Sequence, residues 1–369
     1  MRLQWRQVTA RRIARHFLAA ESTDIPTAVS AMCGAHAQVM SAAEIAIGVR
    51  TAGITRADVR AAVGGSLTKT FGPRGTVHLL ATSDLGLFGG ALSQVPAQGI
   101  LASSLGMTAE RTDTVVTAIA DALERGPLTI DELGAAIVER AGAWAGELVV
   151  PAFQDMWPRW RLALAAAGHR GALCFGPTRG TSQTYAKPPA FAPVAEADVA
   201  LLHRYLHSYG PATAGGFARW LSAPPGWAQD VVARADLDRV EVNGTEAWVS
   251  HGDVEFPDEA AHGIRLLPYF DPYQVGSHPR EQLFPGRAWE RALSRGQAGN
   301  FPVLLVDGVV GGVWHQKRSG KRIAVTVEPL VSLTKAQLAE LDAQAQRVGE
   351  ILEGVAELTI GEVTVGPHA

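Results

Sequence analysis

The chain repeats one order of secondary structure, and that repeat constrains its fold more than any single motif. Thr114 to Arg125 carries a helical period, Gly126-Pro127-Leu128-Thr129 interrupts it, and Thr129-x-x-Glu132 is a capping box opening a second helix to about Ala141. A third helix is expected across Phe153, Trp157, Trp160 and Leu164, with Trp157 and Trp160 in the core. Gly171 to Gly176 reads as a strand, and Thr178 to Lys187 as a turn and return strand. The same grammar then returns. Asp198 to Ser208 is a helix, Gly210-Pro211-Ala212-Thr213 a turn, and Ala214 to Leu221 and Trp227 to Ala235 are two more helices. Strands at Val240–Val242 and Ala247–Val249 flank Asn243-Gly244, a pair suited to a tight hairpin. Helix, turn, helix, helix and hairpin is the order of a winged helix, and Gly-Pro-x-Thr at the same place in both copies argues against coincidence.

The N-terminal part reads as a further copy with a longer insertion. Trp5 to Ala19 and Thr27 to Cys33 are helical, and Ser41-Ala42-Ala43-Glu44 has capping-box spacing before a helix to about Thr51. Thr55 caps another helix. Leu67–Phe71 and Thr76–Leu80 then flank Gly72-Pro73-Arg74-Gly75 as a wing. From Gly263 the texture changes to short strands, Ile264–Leu267, Val303–Val306, Val309–Trp314 and Ile323–Val327, with Gly276 to Asn300 polar and loop-like between them. Thr334 to Leu352 is a helix and Glu357 to Val365 a last strand. The expected fold is α+β: winged-helix units over residues 1–105, 106–192 and 193–262, followed by a small antiparallel sheet or barrel with a C-terminal helix in 263–369.

Charge first argues against nucleic acid, since 33 basic and 36 acidic residues leave a net charge of −3. Its distribution argues otherwise. Five arginines fall in the first 15 residues, and Lys317, Arg318, Lys321 and Arg322 cluster without an acid, whereas carboxylates gather between Asp230 and Glu259 and after Glu328. A near-neutral chain can therefore present a basic face. The 2 cysteines, Cys33 and Cys174, lie far apart, so neither a disulfide framework nor a cysteine metal site is expected. No run of ~18 uncharged apolar residues and no leader-like segment occurs, which places the expected protein in the cytoplasm, without a membrane partner and close to the nucleoid.

Several enzyme motifs fail on inspection. Gly64 to Thr70 has Thr68 where a phosphate loop needs its second glycine. His203 and His207 share a helix face but lack a third ligand. Gly34-Ala35-His36-Ala37-Gln38 is different. It sets two polar side chains among small residues just before a helix, and residues two apart share a side of an extended segment. His36 and Gln38 can therefore point together at a water or anion, although a buried turn satisfied by backbone bonds fits the same residues.

These segments, taken in order, resemble the AlkZ-like family of winged-helix DNA glycosylases. The resemblance rests on His36-Ala37-Gln38 with the helix to Arg50, Arg74-Gly75-Thr76-Val77-His78-Leu79, and Tyr209 to Thr213 with Phe217-Ala218-Arg219-Trp220. It continues through Leu266 to Tyr273 and from Val306-Asp307-Gly308 to Trp314. It implies three tandem winged helices scaffolded on a small antiparallel β-barrel with a concave basic surface for duplex DNA, and hydrolysis of the N-glycosidic bond of alkylated purines, N7-alkylguanine and bulky genotoxin adducts included, in repair or self-resistance. The family's catalytic triplet is Gln-x-Gln or Gln-x-Asp; here it is His36-Ala37-Gln38, so His36 and Gln38 are the expected catalytic residues of a monofunctional enzyme without metal or cofactor, acting as a monomer. Expected DNA contacts are Arg50, Arg74 and the hairpin residues Trp314, His315, Gln316, Lys317, Arg318, Lys321 and Arg322. The alternative is a non-catalytic winged-helix DNA-binding protein or transcriptional regulator.

Overall fold

The computed structural model describes residues 1–96, 103–152 and 155–367, so the expected helical position of Phe153 lies outside the described residues. The chain opens with β1 (Arg2–Leu3) and α1 (Trp5–Arg15). Neither joins the segment that follows. Instead β1 pairs in parallel with a strand some 240 residues later, Arg2 beside Glu241 and Leu3 beside Val242. Arg11 and Arg15 of α1 both bind Asp253, each at 2.5 Å, which removes them from any exposed basic face.

One topology then occurs three times among the described residues. The first has α2 (Ile25–Ala31), β2 (Ala35–His36), α3 (Met40–Gly48), α4 (Arg56–Ala62), β3 (Leu67–Phe71) and β4 (Val77–Ala81), with sheet order β2-β4-β3. After α5 (Leu85–Gln94) comes the second: α6 (Ala109–Leu123), β5 (Leu128–Thr129), α7 (Ile130–Ala141), a small β6 (Leu148–Pro151) and β7 (Met156–Pro158) ribbon, α8 (Leu164–His169), β8 (Cys174–Phe175) and β9 (Thr184–Ala186), ordered β5-β9-β8. The third has α9 (Ala197–Tyr209), α10 (Ala214–Leu221), α11 (Pro225–Arg234), β10 (Leu237–Val242) and β11 (Thr245–Ser250), with Ala212 bridging to Trp248 as the short first strand. In each, the first strand pairs with the last.

Local chemistry explains most helix starts. Asp24 accepts from Thr27 N at 2.9 Å with Pro26 in the first turn, and Thr129 with Glu132 closes the expected capping box. Two expectations need correction. Ser41 and Glu44 make no capping box: α3 starts at Met40 after an uncapped Val39, and buried Glu44 accepts instead from Arg60 Nε at 2.6 Å. Trp157 lies in β7, exposed, while Trp160 is buried as expected, because a 3-10 turn at Arg159–Ala163 replaces the first part of the expected helix.

The C-terminal part is an open sheet rather than a closed barrel. Its order is β12 (Ile264–Leu267), β13 (Val303–Val306), β14 (Val309–Ser319), β15 (Arg322–Pro329) and β16 (Val355–Ile360). The first four are antiparallel neighbours, but β16 lies parallel to β15. The intervening helix, Lys335–Ile351, carries the chain back to the starting end, and such a crossover yields a parallel pair. The span between β12 and β13 is not all loop: it holds α12 (Pro272–Gly276), α13 (Arg280–Leu283) and α14 (Arg287–Ala292), and the long C-terminal helix is α15. Ile13, Ile45 and Val49 enter the same core as the sheet's Leu266, Leu304 and Val325. The sheet is thus the base on which α1 and α3 sit.

Candidate active site

His36 is placed by the backbone ladder of the first three-stranded sheet. In β2 it lies opposite His78 of β4, and Ala37 N donates to Val77 O at 2.8 Å, holding the segment extended up to the start of α3. Gly34 admits this approach. Its φ is +96°, and a Cβ there would lie 2.6 Å from Leu80 Cδ2. Because Ala37 is buried and Gln38 lies two residues after His36, both polar side chains reach one cleft of about 1040 Å³, His36 buried and Gln38 exposed.

The imidazole of His36 is sandwiched. It stacks on Phe270 with centroids 4.6 Å apart and meets the edge of His78 at 5.1 Å. Its Nδ1 is buried without a hydrogen-bond partner. Burial, with a smaller contribution from the Arg74 charge, pushes its pKa down to about 4, so the ring is neutral near pH 7. His78 is likewise held well below the usual histidine range by burial, while its Nδ1 lies 2.9 Å from Thr76 O.

Cations gather around this neutral pair. Arg74, Arg219 and Arg280 line the cleft with His278, while Glu281 is the one carboxylate among its described lining residues. Arg74 sits at φ 61° in the 3-10 turn before β4 and donates to Trp220 O at 2.8 Å, tying the first unit to α10. Arg280 donates to Ser277 O at 3.0 Å and Val275 O at 2.7 Å at the end of α12; burial first, then Arg74, lowers its pKa to about 10. Burial and this arginine group push His278 down to about 3. The cleft is therefore cationic without any protonated histidine, which suits a polyanion. No group of three or more His, Cys, Asp or Glu among the described residues is arranged to hold a metal ion.

The sequence-predicted residues divide accordingly. His36, Gln38 and Arg74 come together in the cleft. Arg50 does not reach DNA: fully buried at the end of α3, it gives Asp271 two bonds of 2.8 Å, because its chain position faces the sheet. Trp314 is also excluded, since it fills the sheet's core and donates from Nε1 to Leu267 O at 2.8 Å. Along the β14–β15 hairpin, His315 and Gln316 are half-buried while Lys317, Arg318, Lys321 and Arg322 are exposed; none of the six lines the cleft. Arg322 pairs with Glu357, and Arg318 donates to Leu352 O. Sequence reasoning did not pick out Phe270, Arg219, His278, Arg280 or Trp289 as site residues. Arg219 comes from a segment read as helix, His278, Arg280 and Trp289 from one read as loop, and Phe270 from the stretch just after the Ile264–Leu267 strand; only tertiary contact brings them to His36.

Comparison with known proteins identifies the family. A family model described as "DNA glycosylase AlkZ-like" matches residues 29–351. An interstrand DNA cross-link repair glycosylase of Streptomyces sahachiroi is 32% identical over 338 residues, which cover 85% of this chain and 88% of that protein. The solved structure of the Streptomyces sahachiroi DNA glycosylase AlkZ superposes with a TM-score of 0.80 at 27% identity, covering 98% of this chain and 100% of that one. No helix among the described residues is long and apolar enough to cross a membrane. With the family model spanning most of the chain and that relative matching nearly as much, the protein belongs to the AlkZ-like family of DNA glycosylases.

Proposed function

We propose that this glycosylase hydrolyses the N-glycosidic bond of N7-alkylguanine in duplex DNA, bulky adducts included, as a monofunctional and monomeric enzyme. The observation that carries the reading is the pairing of a neutral, sandwiched His36 with an exposed Gln38 in one arginine-lined cleft. Alkylation at N7 already makes the base cationic. The C1′–N9 bond can then break with its electron pair going to the base, which departs neutral without being protonated, and the sugar passes through an oxocarbenium-like state. What remains is to hold the water that forms the new C1′–O bond and to receive its proton. The Gln38 carbonyl accepts from that water, and neutral His36 takes the proton as the bond forms and returns it to solvent. Such a site gives little help to an unmodified base, a poor leaving group.

The three repeated units, each with its first strand paired to its last, support a reading as winged helices whose arginines hold DNA phosphates. The name of the Streptomyces sahachiroi relative extends the reading to adducts that join both strands. The test is a panel of duplexes carrying N7-methylguanine, a bulky N7-guanine adduct, an N7-linked cross-link or no lesion. The expected result is base release and an alkali-labile site from the alkylated duplexes alone, abolished by His36→Ala with Gln38→Ala. Undiminished release by that double variant overturns the catalytic assignment. Tight sequence-specific binding with no release from any duplex favours the regulator instead.

A further inference from the structure

Among the described residues only two tryptophans are exposed, Trp157 at 43% and Trp289 at 41%. Their surroundings differ. The Trp157 ring lies outside the cleft with the Arg161 guanidinium 4.7 Å from its centroid. Trp289 lines the cleft that holds His36 and Gln38, and no ring or cation stacks on it among the described residues.

Its backbone is held firmly. Ala288 and Ala292 of α14 are buried in the sheet core, and Arg291 binds Glu328 at 2.8 Å and Val363 O at 2.6 Å. This anchors the helix while leaving the indole in solvent. A rigid aromatic ring with only two rotatable side-chain bonds loses little entropy on stacking, and every nucleobase offers it a π-face. In an intact duplex those faces are covered by neighbouring bases. They become available only where a nucleotide leaves the stack or its base has gone.

We propose that Trp289 is the stacking residue that fills the gap in the duplex at the target nucleotide, replacing the stacking which the displaced or released base gave up. The cleft arginines supply the sequence-independent hold on the backbone, and Trp289 supplies recognition of the disturbed step. The assignment does not depend on which adduct is excised.

The test compares an intact duplex with the same duplex holding a stable tetrahydrofuran abasic analogue, by anisotropy at fixed salt. Wild-type protein is expected to prefer the abasic duplex. Trp289→Ala should lose about 5- to 150-fold in affinity for the abasic duplex alone, the span that one base–aromatic stack supports, and Trp289→Phe should stay within about 3-fold of wild type. A 5-iodouracil placed beside the abasic analogue should photo-crosslink wild-type protein at Trp289, a readout independent of any variant's folding. The proposal is overturned if Trp289→Ala keeps the preference, if it weakens both duplexes equally, or if the crosslink maps elsewhere.

Discussion

Arg50 and Asp271 form a two-pronged ion pair with both bonds at 2.8 Å and neither side chain exposed. The pair joins the end of α3 to the start of α12, where Asp271 also caps the helix by accepting from Tyr273 N at 2.9 Å. Phe270, the next residue back, stacks on His36. A residue expected to grip DNA instead anchors the segment whose Phe270 packs against His36.

Arg50→Ala should therefore act through stability. It leaves the Asp271 carboxylate buried without its counter-ion, at an expected cost of about 3–5 kcal/mol. Urea unfolding measures this directly. Adding Asp271→Asn, which keeps a capping oxygen but no charge, should recover part of the loss; an unchanged midpoint for Arg50→Ala would show that the pair is not closed in solution.

With His36 as the proposed proton acceptor, the acid limb of activity should follow its titration. Neutral imidazole is the competent form and its pKa lies at about 4, so single-turnover release should be flat from neutral pH to about 5.5 and fall as pH approaches 4. Stability follows the same group. As pH falls below the ordinary value near 6.5, the unfolded chain gains a proton that the folded site refuses, so folding weakens until His36 itself protonates near pH 4, by up to about 3 kcal/mol. His16, His78 and His278, also held low by burial, add to the same loss, so His36→Gln should lessen the loss across that window without abolishing it in pH-dependent melts.

Gln38 is exposed, so Gln38→Ala should leave the unfolding free energy within about 0.5 kcal/mol of wild type. The rate of base release should nevertheless fall by about 100-fold or more, with lesion binding changed by less than about 3-fold, because the contact proposed for Gln38 is to the attacking water. Single-turnover kinetics beside a binding isotherm separate the two. A fall in binding with an unchanged rate would assign Gln38 to substrate grip.

Lys317 and Lys321 stand exposed at the β14–β15 hairpin and carry no ion pair among the described residues, unlike Arg322 with Glu357. If both lysines meet phosphates, replacing them together with Ala should flatten the dependence of log K on log salt by about 2, at roughly 0.9 per contact. Arg322→Ala should change the slope less. Anisotropy titrations across salt give the answer, and an unaltered slope for the double variant would place the hairpin off the DNA.

Much of the scaffold was legible because its causes are local. Thr129 with Glu132, Asn243-Gly244, and Gly72 to Gly75 between two β-rich runs each specify their turn or cap within a few residues. Where a rule failed, a tertiary partner had outcompeted it: Glu44 prefers Arg60 to a capping role, and the last strand turned parallel because α15 carries the chain across the sheet.

The site divides along the same line. By itself the sequence determined that His36 and Gln38 share a side, since alternation along an extended segment needs only backbone geometry. What surrounds them was decided by tertiary structure alone. Whether an arginine is a DNA contact or a buried strut depends on which carboxylate lies opposite, and Arg50 meets Asp271, 221 positions further along the chain. The stacking of Phe270 on His36 and the approach of Arg219, Arg280 and Trp289 are long-range packing outcomes, which no local period or spacing records.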